Sequence, residues 1–355
     1  MKARTLSVAM FVVMLAAFVL VSNFGGTLSA AQEMRAENPF LVRSSLPYQL
    51  PPFDRVDESD YLPAFEQGMA EQLAEIEAIA GTSGPPTFEN TLVALERSGR
   101  VLERVAATFF SLSGADTTDA LDEIRAEVAP KLSAHSDRIL LNADLFTRVR
   151  TLYDQREGLE LDDEGLRLIE KSYTDFVRAG ALLSETDKSR MQVINAELAT
   201  LQTTFTQNVL DEVNASAIVV DTRAELAGLS DDQVAAAAAA AAARNLEGKY
   251  VIPLLNTSGQ PTLSSLENRE LRERIMRTSL MRGSRGGEFD NREIVSRIAR
   301  LRAERAVLLG YPNHAAYVLE EETAGSVEAV NDRLASLVTP AVANARREAT
   351  DLQTT

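Results

Sequence analysis

Apolar positions recur with helical spacing along most of this chain. Phe65, Met69, Leu73, Ile76 and Ile79 share one stripe, which predicts an amphipathic helix with Asp60 as N-cap and Pro63 in the first turn. Gly81-Thr82-Ser83-Gly84-Pro85-Pro86 ends it. Thr87 then caps a second helix carrying Phe88, Leu92, Leu95, Leu102, Val105 and Phe109 on one face, weakened at Ser98-Gly99. Leu121, Ile124, Val128, Leu132, His135 and Ile139 form a third stripe, in which Pro130 predicts a kink. From Glu185 to Val213 a longer pattern places Met191, Ile194, Leu198, Leu201, Phe205 and Val209 on one side. Leu271 to Leu280, Ile294 to Leu309 and Val327 to Leu352 complete the helical runs.

Two short β-rich runs, Ala217 to Val220 and Tyr250 to Leu254, interrupt the helices. Between them, Ser230 to Ala243 contains nine consecutive alanines, which predicts an exposed helix beside a small sheet. Arg282-Gly283-Ser284-Arg285-Gly286-Gly287 lacks the spacing of a phosphate-cradling loop and reads as an interhelical connection. The expected fold class is predominantly all-α, with a small β element near 217–254. No fixed repeat period emerges, which disfavours a regular solenoid.

The first 31 residues have a different character. Lys2 and Arg4 precede a 16-residue apolar stretch, Leu6 to Val21; Gly25-Gly26 follow, then the small residues Ser29-Ala30-Ala31. That order predicts a Sec-type signal peptide over 1–31, a body of 32–355, and a periplasmic or otherwise exported location. An uncleaved N-terminal anchor is the alternative. With cleavage, no stable membrane association is expected.

Charge and composition narrow the chemistry. Of 355 residues, 36 are Lys or Arg and 52 are Asp or Glu, giving a formal net charge of −16, and so acidic a surface argues against nucleic-acid partners. The absence of cysteine removes disulfides, thiol nucleophiles and cysteine-ligated zinc. Only His135 and His314 remain as imidazole ligands or bases. Neither is followed by Glu or has His at i+4, so neither begins the H-E-x-x-H signature of helical zinc peptidases. His135 lies on an apolar stripe, which favours packing, and His314 follows a turn that opens a helix, which favours a capping or surface role. Glu320-Glu321-Glu322 is expected to be a solvated charge run, and Asp162-Asp163 and Asp231-Asp232 to be helix caps. A G-x-S-x-G elbow is absent. These residues compose no complete active site.

Several segments in order carry a family resemblance. Asn38-Pro39-Phe40, Leu46-Pro47-Tyr48, Pro51-Pro52-Phe53-Asp54, Pro85-Pro86-Thr87-Phe88-Glu89-Asn90-Thr91 and Ala94-Leu95-Glu96-Arg97-Ser98-Gly99 come first. Ala129-Pro130-Lys131-Leu132, Ala134-His135, Leu141-Asn142, Asp175-Phe176-Val177-Arg178-Ala179-Gly180-Ala181 and Leu308-Leu309-Gly310-Tyr311 follow. Together they resemble the N-terminal half of thimet-oligopeptidase-family zinc peptidases, nearest to the bacterial peptidyl-dipeptidases. The resemblance implies an elongated, almost wholly helical half of a two-lobed molecule, with a deep channel that admits only short peptides. It also implies zinc as the cofactor of the complete enzyme, held by residues of a C-terminal catalytic half. No catalytic or metal residue therefore transfers to this numbering, the substrate-binding positions stay unknown, and this chain alone is expected to bind no zinc and to be inactive. Its expected partners are short peptide substrates and that C-terminal half. The alternative is a non-catalytic helical protein that binds peptides or serves as a scaffold. The last residues, Asp351-Leu352-Gln353-Thr354-Thr355, carry no capping glycine or proline, which favours the first reading.

Overall fold

The computed structural model of the chain describes residues 38–255, 257 and 259–354. The expected signal segment 1–31 lies outside them. The chain divides into two compact units, one built from residues up to 128 together with 142–173, the other from 129–141 together with everything from 174 onward.

In the first unit, α1 (Glu58–Ala80) begins one turn earlier than the apolar stripe suggests. Asp57 is the N-cap, and Asp60 is the third helical residue, whose carboxylate accepts from the Asp57 N–H at 2.9 Å. The two aspartates form a reciprocal capping box, so Asp60 has the second place in the motif and Pro63 falls inside the helix. Thr87 caps the next segment as expected, accepting from the Asn90 N–H at 3.1 Å. The single second helix does not survive. A π-helical stretch, Phe88–Val93, runs into a short turn, Ala94–Glu96, and the chain breaks before α2 (Arg100–Ala115). Gly99 sits at the break with a left-handed φ of 72° and donates its N–H to Glu75 at 2.7 Å. Next come α3 (Asp119–Leu140), which contains Pro130, α4 (Ala143–Gln155) and α5 (Asp163–Ala179). Both α3 and α5 pass from one unit into the other.

Aromatic packing joins α1 to α2 around Phe40, Tyr61, Phe65 and Phe109, all buried, with ring centroids 5.1–5.4 Å apart. Arg148 of α4 is buried in the same unit and donates to the carbonyls of Thr82 and Gly84 and to the Asn90 side chain. It thereby ties the turn after α1 to the π-helical stretch.

In the second unit, α6 (Glu185–Ala215) buries Met191, Ile194 and Leu198, whereas Phe205 further along the same stripe remains exposed. Ile218–Val220 (β1) and Tyr250–Ile252 (β2) pair antiparallel, with Ile218 opposite Ile252. Between them α7 (Asp231–Ala242) is capped by Ser230, and Asp231 and Asp232 lie in its first turn rather than at the cap. The alanine helix is not simply exposed. Val234, Ala237 and Ala241 are buried, and the first two share a core with Ile218, Ile252 and Leu271. A side chain ending at Cβ lets a helix come close to the strands, so the alanines pack through proximity rather than bulk. Arg269–Leu280 (α8) and Arg292–Leu308 (α9) follow, joined by the expected connection, in which the Asn291 N–H donates to the Gly283 carbonyl at 2.8 Å.

Against α6, α9 runs antiparallel, with Leu301 packed on Ile194 and Leu198. Two bidentate ion pairs fix the register: Arg190 with Glu304 at 2.6 and 2.7 Å, and Arg297 with Glu197 at 2.5 and 2.6 Å. The chain closes with α10 (His314–Leu319) and α11 (Val327–Thr354), the latter burying no side chain.

Candidate functional site

Within the second unit, the last turns of α3 and α5 meet α6, α9 and α10 around a cleft of about 310 Å³. Ser136 and Asp137 come from α3, Arg178 from α5, Asn195 and Gln202 from α6, Arg305 from α9 and Tyr317 from α10. The lining mixes these polar groups with Leu140, Met191 and Leu198, and its charges are held unequally.

Asp137 is buried and accepts from Asn195 Nδ2 at 2.7 Å. Burial pushes its carboxyl above the ordinary carboxylate range, opposed by the Asn195 hydrogen bond and the Arg305 charge. The Arg305 guanidinium stands 5.3 Å from the centre of the Tyr317 ring, and its buried Nε has no hydrogen-bond partner. Arg178, by contrast, already has three acceptors. It stacks 4.4 Å from the same ring, donates to the Tyr317 carbonyl at 2.7 Å and to the Tyr311 hydroxyl at 3.2 Å, and pairs with Glu320. Glu320 also accepts from Tyr311, so this first member of the glutamate run holds two side chains while remaining on the solvated face expected for the run. Its neighbour Glu321 is exposed but also has an interaction partner. Burial and the Glu320 contact push the Tyr311 hydroxyl up.

The two histidines occupy unlike settings. His135 is buried on α3, where desolvation and Arg138 hold its imidazole below the usual range. His314 is the first residue of α10, capped by Asn313 rather than itself a cap, and burial with Arg302 and Arg305 lowers its pKa. Both environments favour neutral imidazole. Among the described residues no group of three His, Asp or Glu side chains converges on a common point. Asp162, the other expected cap, accepts from the Gly165 N–H at 2.8 Å.

Sequence reasoning missed Asp137, Asn195, Arg305 and Tyr317. Arg305 is one of five arginines in α9, and nothing in its spacing separates it from Arg300 or Arg302, which lie outside this cleft. A fainter signal did exist. Arg178 and Tyr311 belong to two of the segments that carry the family resemblance, and in the folded chain they hydrogen-bond to each other. Asn90, in a third such segment, receives Arg148.

Residues 262–355 match Peptidase family M3. The chain is 42% identical over 316 residues to dipeptidyl carboxypeptidase of Salmonella typhimurium, covering 89% of this chain and 46% of that protein. It is 39% identical over 320 residues to the Escherichia coli dipeptidyl carboxypeptidase, covering 90% and 47%. Oligopeptidase A of Escherichia coli is 28% identical over 320 residues, covering 89% and 46%. The chain thus spans about half the length of the curated relatives it matches. Over most of its length the chain is thus similar to part of each of these peptidases, and its last 94 residues match the model of Peptidase family M3.

Proposed function

We propose that this chain is the N-terminal, channel-walling part of an exported, zinc-dependent peptidyl-dipeptidase or oligopeptidase acting on short peptides. The observation that carries the reading is the 42% identity to a dipeptidyl carboxypeptidase across 89% of the chain. In this reading the metal and the H-E-x-x-H residues belong to a C-terminal catalytic half, because neither of the chain's two histidines begins or ends that spacing. The helical body supplies the wall that orients a peptide and restricts access by size. Export rests on the order of charged, apolar and small residues in 1–31. Among the described residues no helix is long and apolar enough to cross a membrane.

The test is reconstitution. Residues 32–355 are purified and assayed on short quenched-fluorescence peptides, alone and with the part of the Salmonella enzyme that this chain does not match. The expected outcome is no metal-dependent cleavage by the chain alone, and chelator-sensitive dipeptide release from the mixture. Equimolar zinc with cleavage by the chain alone overturns the division of labour. A mixture of two folded parts that stays inactive supports the non-catalytic scaffold instead.

A further inference from the structure

The cleft in the second unit has two charges of opposite sign that do not satisfy each other. Asp137 and Arg305 line it together without forming an ion pair. Asn195 occupies one Asp137 oxygen, Oδ1, and leaves Oδ2 able to accept. Arg178 does not supply the missing partner, since Glu320, Tyr311 and the Tyr317 carbonyl already hold it. Arg305, which makes no ion pair with Asp137, keeps a buried Nε that meets no acceptor. A buried donor of this kind carries a standing cost that an acceptor removes.

Charge decides what class of ligand fits. A simple anion on Arg305 faces the Asp137 carboxylate, and a simple cation on Asp137 faces both arginines. A molecule with one charge of each sign meets both side chains favourably. At about 310 Å³ the cleft falls at the small end of ligand pockets, the size of a metabolite rather than a folded partner. The Ser136 hydroxyl and the Gln202 amide add neutral hydrogen-bonding groups to the lining.

We propose that this cleft binds a small zwitterion with an α-ammonium and a carboxylate, an amino acid or a dipeptide, the ammonium on Asp137 and the carboxylate on Arg305. The bidentate geometry of a guanidinium suits the carboxylate end. The site lies wholly within the second unit and does not depend on the peptidase reading.

The experiment measures thermal stabilisation and calorimetric binding for the chain from residue 32 onward, using alanine and alanyl-alanine at millimolar concentration. N-acetylalanine, which lacks the ammonium, and alaninamide, which lacks the carboxylate, are the controls. At least one zwitterion is expected to bind, and both controls to bind weaker by about tenfold or more. The stronger of alanine and alanyl-alanine identifies the source. Asp137→Asn and Arg305→Gln are each expected to lose about tenfold in affinity, with helical content and cooperative melting retained. The controls on the unaltered chain keep the test valid even where a variant unfolds. Absence of binding by either zwitterion, equal binding by the capped compounds, or full affinity in both folded variants overturns the assignment.

Discussion

Gly68 and Leu102 lie so close that a Cβ added to Gly68 would sit 2.8 Å from both the Cα and the backbone nitrogen of Leu102. Backbone, unlike the tip of a flexible side chain, does not move aside without shifting α2 as a whole. Gly68→Ala is therefore expected to lower stability by roughly 1–3 kcal/mol despite the better helix propensity of alanine. An unchanged urea midpoint would show that α1 and α2 do not meet at this residue.

Arg148 offers a second test of the first unit. It is buried and serves two carbonyls and the Asn90 side chain, so Arg148→Met leaves three acceptors without their charged donor. A loss of about 3 kcal/mol is expected, with earlier proteolysis in the 81–87 turn. Equal resistance of the variant to limited digestion would refute the tie.

Acid should loosen the pairing of α6 with α9. The Arg297 hydrogen bond lowers the Glu197 pKa, and the Arg190 hydrogen bond lowers that of Glu304. Each carboxyl is protonated at higher pH in the unfolded chain than in the fold. The stability the pairs contribute is thus fully present above the unfolded glutamate range and fades as pH falls through the folded values. These side chains are a third or more exposed, so solvent screens each pair and its contribution is small. The thermal midpoint of Arg297→Gln should match that of the parent more closely at low pH than at pH 7. A constant difference across that range would remove the electrostatic explanation.

The final helix should be adhesive. Leu334, Leu337, Val338 and Val342 are exposed along α11, which buries no side chain of its own. Residues 32–355 are expected to bind a hydrophobic dye and to self-associate, and the complementary part of the Salmonella enzyme to suppress both. A monomeric, dye-silent protein would favour the scaffold alternative.

N-terminal sequencing of exported protein should begin at Gln32, since Ser29-Ala30-Ala31 presents small residues to a signal peptidase. An intact Met1 on membrane-bound material would establish the anchor.

Much of the helical framework was legible because periodicity needs only the local sequence. Met191, Ile194 and Leu198 fall on one stripe and are buried together. Boundaries were less legible: Asp57 and Asp60 both suit a cap, and only the backbone reveals which has the capping conformation. The break at Gly99 was visible as a weak point but not as a stop, because glycine permits both a helical and a left-handed φ and only the fold, with Glu75 accepting its N–H, selects the latter. The cleft lay beyond local reasoning. Asp137 and Arg305 are far apart in sequence, and each is unremarkable until helices from both regions fold around the same space.

The division of the chain also bears on its birth at the ribosome. Because the first unit takes up residues 142–173 after the chain has already contributed 129–141 to the second, it cannot close when Val128 emerges. Translation must reach Tyr173, an interval of about 2–9 s at ordinary elongation rates. During that time Phe65 and Phe109 can already find each other, but the α4 side chains Phe146 and Leu152 are still to come. Nascent chains halted within that interval should therefore be captured by chaperones more readily than chains halted shortly after it.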